Sequence, residues 1–170
     1  PKSPYAAAKL YAHWITKIYR EAYGIFASNG ILFNHESPLR GETFVTKKIT
    51  KALTKIKLKK QNKLLLGNLY SKRDWGHAED YVEAMWKILN HKTPDDFVIA
   101  TNSKIKIKDF IKIVCSELNI SLNWKGKGIN EKGYNQDGKC IIQIDKRYFR
   151  PLEVENLQGN YSKAKKILKW

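Results

Sequence analysis

Residues 20–41 read Arg20-Glu21-Ala22-Tyr23-Gly24-Ile25-Phe26-Ala27-Ser28-Asn29-Gly30-Ile31-Leu32-Phe33-Asn34-His35-Glu36-Ser37-Pro38-Leu39-Arg40-Gly41. A helical pattern ends at Gly24, which suits the left-handed residue that closes a helix. Ile25-Phe26-Ala27 and Gly30-Ile31-Leu32-Phe33 then form an apolar, strand-like run. A helix passing at once into a buried strand is the αβ half of a parallel sheet, so the spacing predicts an α/β fold. Ligands of such sheets bind outside the carboxyl ends of strands. Residues 34–41 follow the strand and are polar, turn-prone and rich in donors. A binding loop has that composition, and so does an ordinary surface loop.

Upstream, the predicted helix spans residues 4–23, with Tyr11, Trp14, Ile15, Ile18 and Ala22 at helical spacing. Ser3 suits the N-cap and Pro4 the first helical position. Tyr5 and Lys9 then project from one face, a turn apart. An ammonium beside a phenol and the positive end of a helix both favour the phenolate, the form a general base needs. The same spacing is common in plain amphipathic helices, so it decides nothing alone.

Downstream, a second helix is expected over 42–59, opened by Glu42 and Thr43, with Phe44, Val45, Ile49, Leu53 and Ile56 as its apolar stripe. Leu64-Leu65-Leu66 reads as a strand ending at Gly67-Asn68, and Lys72–His77 as a charged, aromatic connection. Helices follow at 78–89 and 107–118, separated by a Phe97–Ala100 strand. Ser121–Trp124 is a short strand and Ile141–Ile144 another. Residues 126–139 hold four of the ten glycines and read as a long surface loop, because no strand-turn-helix frame surrounds them. Ser162 is placed to cap a last short helix over 163–170. There is no internal repeat and no Gly-x-x-Gly-x-x-Gly.

The 170 residues suffice for one domain with a real core, and 42% apolar content excludes a disordered tail. No apolar run approaches the roughly 20 residues that span a bilayer. Cys115 and Cys140 are far apart and the four histidines are scattered, which argues against a disulfide framework or a metal site and for a reducing, cytoplasmic setting. Cys115 lies in a helical apolar pattern and reads as a buried thiol. The net charge of +16 invites a nucleic-acid reading. The lysines are spread over helix faces with no arginine-rich stripe, so no specific nucleic acid is expected. The five arginines, Arg20, Arg40, Arg73, Arg147 and Arg150, are the better pointers to anion contacts, because a planar guanidinium matches phosphate or carboxylate. The chain carries no starting methionine and reads as an excerpt of a longer one.

Five stretches carry a resemblance: SPYAAAKLYAHW, YREAYGIFASNGILFNHESPLRGETFVTKKI, LGNLYSKRDWGHAEDYVEAMW, DDFVIAT and YFRPLEVENLQGNYSKAKKILKW. Tyr5-x-x-x-Lys9 resembles the catalytic helix of the extended short-chain dehydrogenase/reductases. The longer stretches, in register from first residue to last, are similar to the GDP-mannose 4,6-dehydratase family. The resemblance implies a partial Rossmann-like parallel sheet, late strands only, plus most of the carboxyl-terminal substrate-binding lobe. Late Rossmann elements fall at about 1–34 and 78–101, and substrate-lobe segments at about 35–77 and 102–170. It implies tightly bound NADP that takes a hydride from C4 of the mannose of GDP-mannose, loss of water across C5 and C6, and return of the hydride to C6. The product is GDP-4-dehydro-6-deoxy-mannose, a precursor of GDP-fucose and GDP-rhamnose.

Carried onto this chain, the resemblance makes Tyr5 the base for the 4-hydroxyl proton and Lys9 its partner and a ligand of the nicotinamide ribose. His35 and Arg40 match NADP contacts. Asn34, Val45, Lys48, Gly67, Arg73, Arg150 and Glu153 match contacts to the nucleotide sugar. A homodimer or tetramer is implied. The departures are the glycine-rich NADP loop and the strand with the catalytic Thr and Glu, which lie upstream in the family and are not in this sequence. The family's last helices, beyond Trp170, are missing as well. The chain is therefore expected to be inactive alone. Other nucleotide-sugar epimerases or dehydratases on the same scaffold are the alternative.

Overall fold

The computed structural model describes residues 1–149 and 152–170. In chain order these form α1 (Pro4–Tyr23), β1 (Gly30–Leu32), β2 (Asn34–Glu36), α2 (Val45–Lys57), β3 (Leu64–Leu66), β4 (Lys72–Arg73), β5 (Trp75–His77), α3 (Ala78–Leu89), β6 (Phe97–Ile99), β7 (Ile105–Lys106), α4 (Ile107–Glu117), β8 (Asn123–Lys125), β9 (Lys132–Tyr134), β10 (Cys140–Ile144) and α5 (Ser162–Leu168). Single 3-10 turns lie at Gly128–Asn130 and Lys146–Tyr148. The fold is α/β, with parallel pairing of β1 with β6, β2 with β5 and β3 with β10. Two compact units emerge: residues 1–37, 72–104 and 156–170 form one, and 38–71 and 105–155 the other.

In the first unit, Tyr81, Ala84 and Ile88 recur on one face of α3 and bury against Phe97 and Ile99 of β6 and Ala164 and Leu168 of α5. Each such burial contributes about 1.5–3 kcal/mol for a large side chain. This cluster explains why residues 156–170, grouped by the sequence reading with 102–155, pack with the first unit. The α1 helix has no buried residue, and its apolar positions Tyr11, Trp14 and Ile18 are exposed. Its last turn is instead tied by Arg20, whose Nη1 and Nη2 donate to the two Asp96 carboxylate oxygens at 2.8 and 3.1 Å. Asn29 donates to Asp96 from its side chain and its backbone, at 2.9 and 3.1 Å.

The second unit is a four-stranded sheet in the order β3-β10-β9-β8, with β9 antiparallel to both neighbours. Ile49 and Leu53 of α2, Ile111 and Cys115 of α4, and Leu64, Ile141 and Ile142 of the sheet are among its buried apolar residues. Cys115 is a buried free thiol, and burial pushes it up to about 11.

Several local expectations are corrected. Residues 25–27 are not strand, and the first strand begins at Gly30. Residues 34–36 are a strand, not loop, because they pair with β5, and Lys72–His77 holds two short strands. Lys132–Tyr134, assigned to a surface loop, lies inside the sheet; a Cβ on Gly133 would sit 3.1 Å from Leu122 and 3.2 Å from Ile142, so this glycine marks close packing rather than a turn. Neither Glu42 nor Thr43 caps α2: Phe44 occupies its N-cap and offers no side-chain bond. Ser162 is the first residue of α5, not its cap, and its N–H is taken by Asn160 Oδ1 at 2.9 Å.

Candidate functional site

The sequence-derived positions divide between the two units. Tyr5, Lys9, Asn34, His35 and Arg73 lie in the first; Arg40, Val45, Lys48, Gly67 and Glu153 lie in the second. Arg150 lies outside the described residues.

Ser3 accepts a 3.0 Å hydrogen bond from the Ala6 N–H, Pro4 opens α1, and Gly24 closes it in the left-handed region at φ 62°. Tyr5 is 73% exposed, and the Lys9 ammonium lies 5.5 Å from its ring centroid. The pair therefore sits on one face at the positive end of a long helix, open to an incoming molecule.

On β2, Asn34 Nδ2 donates to the Asp74 carbonyl at 3.4 Å. His35 Nδ1 lies 3.0 Å from the Phe33 carbonyl, which can only accept, so Nδ1 carries a proton. Its ring is tilted against Tyr81, centroids 5.0 Å apart. Arg73 Nη1 donates to the Lys72 carbonyl at 2.9 Å. Between Arg73 and β5 stands a residue the sequence reading missed. Asp74 is fully buried and accepts from the Thr101 N–H at 2.9 Å, the Thr101 hydroxyl at 2.7 Å and the Gly159 N–H at 3.1 Å. It locks the segment carrying Arg73 and β5 to the end of β6. Its one sequence signal was a lone acid inside a run with aromatic neighbours.

In the second unit, the Arg40 guanidinium stacks 3.6 Å from the Phe44 ring centroid. Val45 begins α2, half-buried, and Lys48 follows three residues later. The Lys48 ammonium lies 3.6 Å over the Tyr148 ring. Burial pushes the Lys48 ammonium below its ordinary value, and the Asp145 charge opposes that. Gly67 follows β3 and lies against the backbone of Tyr148: a Cβ there would lie 2.3 Å from the Tyr148 carbonyl oxygen. Lys48, Lys51, Lys55, Lys63 and Tyr148 line a cavity of about 270 Å³. Glu153 is half-buried in the segment after the two undescribed residues.

The arginines sort unevenly. Arg20 and Arg147 grip carboxylates of the fold itself, Asp96 and Asp145, so their planar donors serve internal ion pairs. A further buried group stands apart from these positions. Glu131 accepts from the Lys108 ammonium at 2.5 Å and the Tyr70 hydroxyl at 2.7 Å. Burial raises the Glu131 carboxyl, and the two hydrogen bonds outweigh it, leaving the group below its ordinary value. Among the described residues no helix is long and apolar enough to cross a membrane.

The family model described as GDP-mannose 4,6 dehydratase matches residues 1–170. A Caenorhabditis elegans protein named GDP-mannose 4,6 dehydratase 2 is 55% identical over 170 residues, covering 100% of this chain and 44% of its own length. The GDP-mannose 4,6-dehydratase of Sinorhizobium fredii is 54% identical over 171 residues, covering 100% of this chain and 49% of its own. Among solved structures, RMD from Pseudomonas aeruginosa complexed with NADPH superposes with a TM-score of 0.78 at 20% identity, over 100% of this chain and 51% of that one, a likeness of fold. The chain spans about half the length of the curated relatives it matches. An uninterrupted match at this identity, on an α/β fold with the Tyr5–Lys9 pair exposed on its first helix, places the chain in the GDP-mannose 4,6-dehydratase family.

Proposed function

We propose that this chain is the portion of a GDP-mannose 4,6-dehydratase that supplies the catalytic tyrosine and much of the nucleotide-sugar site. The parent reaction converts GDP-mannose into GDP-4-dehydro-6-deoxy-mannose and water. The observation that carries the reading is the Ser3-capped helix, which holds Tyr5 exposed with Lys9 at 5.5 Å in a chain matched end to end by the family model.

In this reading Tyr5 removes the proton of the sugar 4-hydroxyl, and Lys9 stands one turn away beside it. Once a ketone stands at C4, the neighbouring C5 proton is acidified, which is why elimination of the 6-hydroxyl becomes feasible. NADP, when bound, supplies the hydride acceptor and donor. The residues fit its nicotinamide end: Tyr5 and Lys9 are open, and His35 keeps Nε2 available because Nδ1 is committed to Phe33. Arg40 and His35 are the further cofactor contacts. Asn34, Val45, Lys48, Gly67, Arg73, Arg150 and Glu153 are assigned to the nucleotide sugar, with Lys48 the cation for its diphosphate. The 170 residues hold no glycine-rich phosphate cradle, so the chain alone turns over nothing. Two free cysteines support a reducing, cytoplasmic setting, and assembly into a homo-oligomer belongs to the same reading.

Calorimetric titration with GDP-mannose, UDP-glucose and dTDP-glucose tests it. GDP-mannose binds most tightly and Lys48→Met weakens it. Equal or tighter binding of the uridine or thymidine sugar contradicts the reading.

A further inference from the structure

Tyr148 stands outside every role assigned above, yet it joins two positions that are. Its ring lies under the Lys48 ammonium at 3.6 Å, and its carbonyl fills the space that a side chain on Gly67 would need. The Tyr148 side chain is not a core residue, being 48% exposed. Its backbone is nonetheless firmly seated. The Tyr148 N–H donates to the Asp145 carbonyl at 3.0 Å, and the Asp145 N–H donates to the Leu66 carbonyl at 2.8 Å. The Asp145 carboxylate holds Arg147 through its backbone N–H at 2.9 Å and its guanidinium at 2.6 Å. The backbone that carries the ring is thus fixed at the end of the parallel β3–β10 pair, and the ring meets Lys48 of the first turn of α2. An ammonium over such a face is attracted by the ring's quadrupole, more so when partly desolvated.

We propose that Tyr148 is a positioning residue: its ring holds Lys48 at the lip of the lysine-lined cavity, where the ammonium meets the diphosphate of the nucleotide sugar. The proposal rests on the nucleotide-sugar reading above. A free lysine side chain has many rotamers to lose on binding an anion. The ring removes that freedom beforehand. Lys51, Lys55 and Lys63 line the same cavity and keep its field positive, although Lys51 is paired with Glu42.

The test compares Tyr148→Phe, Tyr148→Leu, Lys48→Met and the Tyr148→Leu/Lys48→Met double variant of the full chain, with thermal unfolding as the check on folding. The first readout is the proton NMR shift of the Lys48 ε-methylene. It stands upfield in the wild type and in Tyr148→Phe, because the ring current is retained, and returns to the random-coil position in Tyr148→Leu. The second is the Kd for GDP-mannose. Tyr148→Phe matches the wild type, Tyr148→Leu weakens binding about 2- to 30-fold, and Tyr148→Leu costs nothing further when Lys48 is already Met. The proposal is overturned if the Lys48 shift survives Tyr148→Leu, if Phe weakens binding as much as Leu, or if the Leu effect persists in the Lys48→Met background. Failure of the wild type to bind GDP-mannose, with the Lys48 shift still following the ring, refutes the nucleotide-sugar reading while supporting the hold of Tyr148 on Lys48.

Discussion

Tyr5 and Asp74 are opposite kinds of residue. Tyr5 is exposed at the start of α1 and contributes no core burial. Tyr5→Phe is therefore expected to change unfolding free energy by less than about 0.5 kcal/mol in urea titration, whatever it does to chemistry. Asp74 accepts three hydrogen bonds in a fully buried place. Asp74→Ala strands those donors and is expected to cost about 2–4 kcal/mol in the same titration; a loss under 1 kcal/mol contradicts the role given to it here. The difference in legibility has a physical origin. The Ser3 cap and the Tyr5–Lys9 pair are made within one turn of helix, so spacing alone reveals them. The Asp74 partners lie 27 and 85 residues along the chain, and no local pattern announces them. Tyr148 was missed for the same reason, since its neighbours come from α2 and the end of β3.

Among the elements, the helices were the legible part. The expected spans 4–23, 78–89 and 107–118 match α1, α3 and α4 to within a residue, because a helix satisfies its backbone locally and its period is written in the sequence. Strands of three residues are made by their partners. β2 exists through β5, and β9 through β8 and β10, so both read as loops. Two ion pairs hold elements in place and set the acid behaviour. Arg20 draws the Asp96 carboxyl below its ordinary 3.8 by hydrogen bonding, against the effect of burial, and the Asn29 bonds add to this. Both Asp96 and Glu131 are thus depressed when folded. The stability they contribute is present above their ordinary values of 3.8 and 4.5 and is lost as pH falls through the folded values. Unfolding monitored by circular dichroism should show this acid loss, and Lys108→Met should reduce the Glu131 part of it. Asp96→Ala removes the tether of α1. Amide exchange should speed up in residues 4–23 with an overall cost of about 2 kcal/mol, while residues 107–117 keep their protection.

For the whole molecule, the telling feature is an amphipathic α1 with nothing buried. Tyr11, Trp14, Ile18, Tyr19 and Tyr23 all stand exposed on it, and Ile25, Phe26 and Ile31 are exposed as well. Exposed apolar side chains in such number favour association. Sedimentation velocity of the chain should show concentration-dependent self-association, and Trp14→Glu with Ile18→Glu should suppress it without lowering stability. The match to the Caenorhabditis elegans relative lets the role of Tyr5 be tested in a graft. Residues 1–170 can replace the matching segment of that protein, and the chimera can be assayed for conversion of GDP-mannose into the 4-keto-6-deoxy product. Turnover by the chimera is expected, with a fall in kcat of at least about 100-fold on Tyr5→Phe within the graft and GDP-mannose binding retained. A chimera that folds and binds GDP-mannose but forms no product, or one that Tyr5→Phe leaves fully active, would contradict it.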